Sequence, residues 1–396
     1  MNGFFNLLFL ASTSLLPHDS FIIEADKAVS THEKLQLSGH VKIESGPLTA
    51  ESTEASYSQD KNSPLFLNVD VRLFIANYGQ ISCDSAFLDP AQHIAHFKSL
   101  TAPVTYKDIK NDLYVEASKM ALSLSDNNQK LKSFTAHKNV KAFWKYGLSC
   151  EGEEALFDPE NHTLMFLRPH IIAKDKMDVI CQKAFLDIKK NSLSLENVTG
   201  CLEALDNLHV LADNLSYAAP LITLTGNVSL SMPLKSGKAE LTSIHTCVVN
   251  EALYTIHLLP IPSKYIFLKT PYGTVKSDSI DLLYQENEGE YKIQKIILKG
   301  AVEITNTFSF KDPETLVNRY AMAHIVEVDC FEKSITLLPL EKQRVLFLDD
   351  EKKVQVSADA LAVSYKEGEE KISGKGAVRM LFTKSESLRF SGCFYK

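Results

Sequence analysis

The sequence predicts an all-β chain: an elongated, jelly-roll-like folded-sheet solenoid of many short antiparallel strands with nearly no helix. Three observations carry that expectation. A short unit recurs: residues 81–97 read I-S-C-D-S-A-F-L-D-P-A-Q-H-I-A-H-F, residues 148–166 read L-S-C-E-G-E-E-A-L-F-D-P-E-N-H-T-L-M-F, and residues 179–195 read V-I-C-Q-K-A-F-L-D-I-K-K-N-S-L-S-L. Cys, an acid or amide, Ala, an apolar residue and Asp come in the same order each time, the mark of a repeat architecture. Apolar residues alternate with polar ones inside the runs, as in half-buried strands. Finally, the runs that come back share L-x-G-x-V-x-[IL], with Leu37, Val41 and Ile43 matched by Leu224, Val228 and Leu230, and by Leu298, Val302 and Ile304.

Taken in order, residues 23–29 form the first outgoing strand and 37–43 its return; 48–57 go out and 65–73 come back. In that return Leu65, Leu67, Val69, Val71 and Leu73 share one face, with Asn68, Asp70 and Arg72 on the other. Outgoing runs follow at 81–97, 114–124, 148–157, 179–188 and 210–217, with returns at 136–143 and 224–230. Their acid positions lie roughly 25 to 34 residues apart, about two strands and two turns. Residues 233–271 hold four prolines and a weak apolar pattern, which reads as a degenerate repeat or a boundary, since Pro is excluded from central strands. The pattern resumes at 275–284 and 298–304 and ends with 356–365 and 374–380; the stretch 308–320, after Asp312-Pro313, is the one place for a short helix. The expected organisation is therefore an export signal over 1–18, a first array over 19–233, an irregular segment over 234–272, and a second array over 273–396, continuous with the first or separate from it.

Parity sorts the side chains. Met120, Leu122 and Leu124, Leu215 and Tyr217, Ile280, Leu282 and Tyr284, and Leu361, Val363 and Tyr365 fall on an apolar face, with Ala358, Ala360, Ala362 and Ser364 opposite. Outgoing strands come in two lengths that differ by two residues, which keeps the faces in phase. The Gly of each return marks a bend or a close backbone approach. Many short strands, each apolar on one side, must fold that side inward. The inward candidates are Val41, Ile43, Leu67, Val69, Val71, Met120, Leu122, Leu124, Leu215, Tyr217, Val228, Leu230, Ile280, Leu282, Val302, Ile304, Leu361 and Val363. From the residues alone, a filled core is the plainer use of such a face.

Composition narrows the function. Net charge is −7 and the basic residues are scattered, so no nucleic-acid partner is expected. The seven cysteines have no CxxC spacing, and Cys83, Cys150 and Cys181 occupy the small-residue slot held elsewhere by Ala25, Ala50, Ala117, Ala212 and Ala358; they read as small buried residues, not as metal or redox sites. His93 and His96 point to opposite faces of a strand, so no metal site is assigned. No nucleophile elbow, Ser-His-Asp spacing or phosphate-cradling loop is present, and no catalytic residue or cofactor is assigned. Asp26, Asp84, Asp213, Asp278 and Asp359 either line a rim or, more simply, satisfy backbone N–H groups at strand starts. Residues 1–16 are apolar with Ala11, Ser12 and Ser14 near the end; they read as a secretory signal without basic residues at its start, the alternatives being a retained anchor or a buried first strand.

These units resemble the OstA-like family of lipopolysaccharide-transport proteins, to which LptA, LptC and the N-terminal domain of LptD belong. The family pattern of apolar-x-Ala-Asp followed by Gly-x-Val-x-apolar is met by residues 23–29 with 39–43, and by 356–365 with 376–380; copies such as Ala50-Glu51 and Ala117-Ser118 are looser. The resemblance implies a V-shaped β-jellyroll whose apolar cleft, lined by the inward candidates, holds the acyl chains of lipopolysaccharide. It implies edge-strand addition to other lipopolysaccharide-transport proteins, head-to-tail self-association, and a place in the periplasm against the inner or outer membrane. The chain is longer than a single bridging domain of that family and lacks its transmembrane-barrel strands, so it is expected to be a double-length bridge or to stand in for several members. The alternative is a structural or adhesive β-repeat protein of the envelope with a filled core and no lipid. An enzyme acting on envelope polysaccharide is the weakest reading, because clustered exposed carboxylates and aromatics are missing and Trp144 is the one tryptophan.

Overall fold

The computed structural model describes residues 22–45, 48–58, 63–89, 92–125, 131–174, 176–205, 208–234, 237–287, 290–306, 318–341, 343–366 and 369–382. The expected export signal lies outside these residues, as does most of the helix expected over 308–320, whose last two residues, Arg319 and Tyr320, open a strand. The described chain is nearly all strand, and every strand pairing is antiparallel. Its only helical elements among the described residues are the single turns Lys145–Gly147 and Glu203–Leu205. It divides into two compact units, Met1–Glu196 and Asn197–Lys396.

Each unit repeats one arrangement. Long strands cross two walls; pairs of short strands supply one wall each. In the N-terminal unit the first half of Gly79–Asp89 pairs with Val104–Asp108 and its second half with Ile94–Lys98. Leu131–Trp144 likewise pairs with Lys119–Leu124 through its first half and with Leu113–Ala117 through its second. In the C-terminal unit Glu290–Asn306 pairs with Ser279–Asn287 and with Gly273–Ser277 in the same manner.

The walls meet where each outgoing strand carries its acid. Asp84 accepts hydrogen bonds from the N–H groups of Leu100 (2.8 Å) and Thr101 (3.2 Å), which hold its carboxyl below the usual range. Asp213 takes the Asn227 N–H at 3.1 Å, Asp278 the Ala301 N–H at 3.2 Å, and Asp359 the Ala377 N–H at 3.1 Å. Asp26 faces His40 Nδ1 at 2.9 Å. Asp84, Asp213, Asp278 and Asp359 are thus strand-start acids that satisfy backbone groups, whereas Asp26 meets a side chain. The residue just before the donor, or before His40, is Gly39, Gly226, Gly300 or Gly376, each with positive φ, and a Cβ added there runs into the carboxylate. The Gly of the L-x-G-x-V returns is thus the close approach, at a β-bulge.

The hinge corrects the parity argument. Period two slips by one residue at the acid, so the small residue before it and the apolar residue after it both point inward. Ala358 and Leu361 are both buried, as are Cys83 with Ala86, Ala117 with Met120, and Ala212 with Leu215. Ala358 therefore belongs to the interior and not to the opposite face, because it lies on the other wall.

The segment expected to be irregular holds three strands of the repeat, Gly237–Asn250, Thr255–Pro260 and Ile266–Thr270. Gly237–Asn250 pairs along nearly all of Leu221–Leu234, and Thr255–Pro260 and Ile266–Thr270 supply the next short pair. Pro233 and Pro260 fall within the last two residues of their strands, and Pro262 and Pro271 lie between strands, so none interrupts a strand centre. Ile22–Glu24 and Lys27–Ser30 pair on one side only, with Lys34–Ser45; Glu369–Lys375 and Arg379–Phe382 likewise pair on one side only, among the described residues.

Two outcomes test this fold. Gly300→Ala is expected to lower stability by at least about 1–2 kcal/mol, the cost of a side chain in the left-handed region, read from urea midpoints. Adding Asp278→Ala relieves the clash, so the double variant should lose less than the two single losses added together. Additive losses would mean the carboxylate and the glycine do not touch. Secondly, burial pushes the thiols up, Cys83 to about 11 and Cys181 and Cys247 to about 12, with Cys150 well above its ordinary value. Iodoacetamide at pH 8, read by peptide mass spectrometry, should modify exposed Cys330 in the native protein and reach those four only in urea.

Candidate functional site

The interior differs between the units. In the N-terminal unit the two walls touch: Tyr106 on one and Phe134 on the other stack with ring centroids 5.0 Å apart. The Tyr106 hydroxyl donates to the Tyr78 carbonyl at 2.7 Å, and burial pushes that phenol up. Of the inward candidates here, Val41, Ile43, Leu67, Val71, Met120 and Leu122 are buried, while Leu124 is half-buried at its strand end. Val69 is a correction. It was expected inward with Leu67 and Val71, but it is 49% exposed. The register slips between Asn68 and Val71, and Val69 and Asp70 take positive φ in that bulge, so Val69 leaves the inward row.

In the C-terminal unit Leu215, Tyr217, Val228, Leu230, Ile280, Val302, Leu361 and Val363 are buried, most of them close to the hinge line. Leu282 and Ile304 are half-buried, and they are not alone. Ile304 stands opposite Val275, Val275 opposite Leu268, and Leu268 opposite Leu241, all four half-buried. On the other wall Leu282 stands opposite Ile296, Ile296 opposite Val328, and Val328 opposite Ile335, again all half-buried. Two residues nearer the hinge on the same strands, Leu298, Val302, Val326, Ile280 and Leu337 are closed off from solvent. Along these rows exposure rises from the inner set to the outer one, which describes an apolar cleft; farther out still, Tyr284 on one wall and Arg319 with Asp349 on the other are buried again.

The rows are aliphatic and uncharged. Charges at neighbouring outward positions pair with one another, Lys276 with Glu303 at 2.8 Å and Lys295 with Glu327 at 2.6 Å, while beyond the row on one wall Arg319 and Asp349 form a buried ion pair at 3.2 Å. For Asp281, burial pushes the carboxyl up, but hydrogen bonds from Lys299 (2.6 Å) and His257 outweigh it and hold it below the usual range. An aliphatic surface of this kind can take hydrocarbon out of water, at ~0.8 kcal/mol per CH₂. Leu241, Leu268, Val275, Ile296, Val328 and Ile335 were not among the inward candidates. Leu241 and Leu268 were hidden by the proline-bearing stretch, whereas the S-I-T-L-L alternation of Ser334–Leu338 was a readable signal for Ile335. No protein-family model matches the chain, and no curated protein does.

The contrast between the units has a mutational consequence. Leu122 is 0% exposed, so Leu122→Asp leaves an unpaired buried carboxylate, expected to cost about 3–5 kcal/mol and to unfold the protein. Ile304→Asp keeps its carboxylate against water and should cost roughly 1–2 kcal/mol. Urea midpoints of the two variants decide it; equal losses would mean the C-terminal cleft is as closed as the N-terminal interior.

Proposed function

We propose that this chain is a non-enzymatic periplasmic protein that binds the lipid A part of lipopolysaccharide, shields its acyl chains between two apolar walls, and bridges the inner and outer membranes. The observation that supports this reading is the pair of half-exposed aliphatic rows in the C-terminal unit, Leu241 to Ile304 on one wall and Leu282 to Ile335 on the other. A soluble protein that needed only a core would close such rows. Acyl chains leaving a membrane need this environment along their path, because each CH₂ in water costs ~0.8 kcal/mol. The hinge pattern of apolar-x-Ala-Asp with Gly-x-Val, on which the resemblance to the OstA-like family rests, supports the same reading. The one-sided strands at the described ends of the chain suit strand addition to other lipopolysaccharide-transport proteins or head-to-tail self-association.

A second reading, a structural or adhesive repeat protein with a filled core, is favoured by the closed N-terminal interior, where Tyr106 and Phe134 span the walls. Photo-crosslinking residues at Leu282, Ile304 and Val328, in protein exported to the periplasm of a lipopolysaccharide-producing cell, separate the two. Lipopolysaccharide adducts are expected at these three positions and not at outward Ala360. Folded, exported protein without adducts would leave the structural reading.

A further inference from the structure

The outward face of the C-terminal unit carries a cavity of about 1080 Å³, the size of a small-molecule site. Its floor is one cross-strand row: Glu303 stands opposite Met322, Met322 opposite Leu346, Leu346 opposite Ser357, and Ser357 opposite Arg379. Along these strands the neighbours Val302, Val345 and Val356 are buried on the inward side, so the row faces away from the apolar cleft. Leu340 and Arg344, from the connection between Ser334–Leu338 and Val345–Asp349, stand at its side.

The row changes character along its length. Glu303 is held by Lys276 at 2.8 Å. Asp278, at the same end, is taken by the Ala301 N–H. The middle is hydrocarbon, Met322 and Leu346, and Leu381, 55% exposed, lines the cavity two residues from Arg379 on the strand at its far end. At the far end the Arg344 guanidinium is fixed by Ser357 Oγ (2.9 Å), the Ser357 carbonyl (2.7 Å) and the Ala377 carbonyl. Arg379 is exposed and has no acidic partner among the described residues. Three strand spacings separate Met322 from Arg379, about 14 Å.

We infer that this cavity binds a single-chain amphiphilic anion, a carboxylate or phosphate on an alkyl tail, with the head on Arg379 beside Arg344 and the tail over Leu346, Met322 and Leu381. A guanidinium offers paired N–H donors that match either head group, and the tail covers apolar carbon that is otherwise in water. The site is separate from the interior cleft and does not depend on the lipopolysaccharide reading.

Calorimetric titration of the full chain with decanoate and with decyl phosphate tests it, with decyl glucoside as the uncharged tail. At least one anion should bind, at least tenfold more tightly than the glucoside. Binding of decanoate alone assigns the head as carboxylate, and binding of decyl phosphate alone assigns it as phosphate. Arg379→Gln should weaken that anion at least tenfold, and Leu381→Glu should abolish its binding; both side chains are exposed, so both variants should keep the wild-type urea midpoint. Ile304→Asp, in the interior cleft, should leave the affinity unchanged. Failure of both anions to bind, full affinity in Arg379→Gln, or equal binding of the glucoside would overturn the site. So would loss of binding in Ile304→Asp, which would move the amphiphile into the cleft and leave the lipid reading of the cleft standing.

Discussion

Everything in this structure depends on the contact between an outgoing-strand acid and a bulged return strand. At Asp213, Asp278 and Asp359 the carboxylate receives the N–H that follows Gly226, Gly300 and Gly376. The contact does two things at once. It satisfies a donor that the bulge has removed from the ladder. It also lets the side-chain phase slip by one residue, so a single strand supplies inward residues to two different walls. Where glycine is missing, as at Val69-Asp70 and Lys138-Asn139, the backbone still takes positive φ. The bend therefore belongs to the repeat, and glycine is its least strained occupant.

Given that hinge, the interiors of the two units differ in their side chains. The N-terminal unit places rings in its interior, including Phe97, Tyr106, Phe134, Phe157 and Phe166, all buried. A ring is large enough for Tyr106 on one wall to reach Phe134 on the other. The half-exposed rows of the C-terminal unit contain only Leu, Val and Ile. Aliphatic side chains are closed off near the hinge, at Leu298, Val302 and Val326, and half-exposed farther out. The same repeat thus yields a filled interior in one unit and an open cleft in the other without any change of topology.

The outward faces follow a different rule. Several rows there carry ion pairs across strands, such as Lys141 with Glu151 at 2.8 Å and Lys295 with Glu327 at 2.6 Å, and others carry ring contacts, such as Phe66 with Phe87. Pairs this exposed contribute little stability, but they keep the outer surface of each wall in water and so set which face turns inward. The row from Met322 to Arg379 combines hydrocarbon with a cation that has no acidic partner among the described residues, and that combination is what the proposed site rests on.

By itself the sequence determined the all-β class, the repeat, the near absence of helix and the inward direction of residues such as Val41, Met120, Leu215 and Val302, because period two and turn chemistry are local. The acids were legible as backbone acceptors, and the glycines as close approaches, for the same reason. Three things were decided only by the tertiary structure. The phase slip at the acid, which returns Ala358 to the interior and turns Val69 out of it, needs the facing strand to define the bulge. The strands within 234–272 needed their partners, since prolines that look disruptive in sequence fall near strand ends or between strands in the sheet. Whether an inward aliphatic row is core or cleft depends on the distance to the opposite wall, and that distance is set by residues far away in the chain.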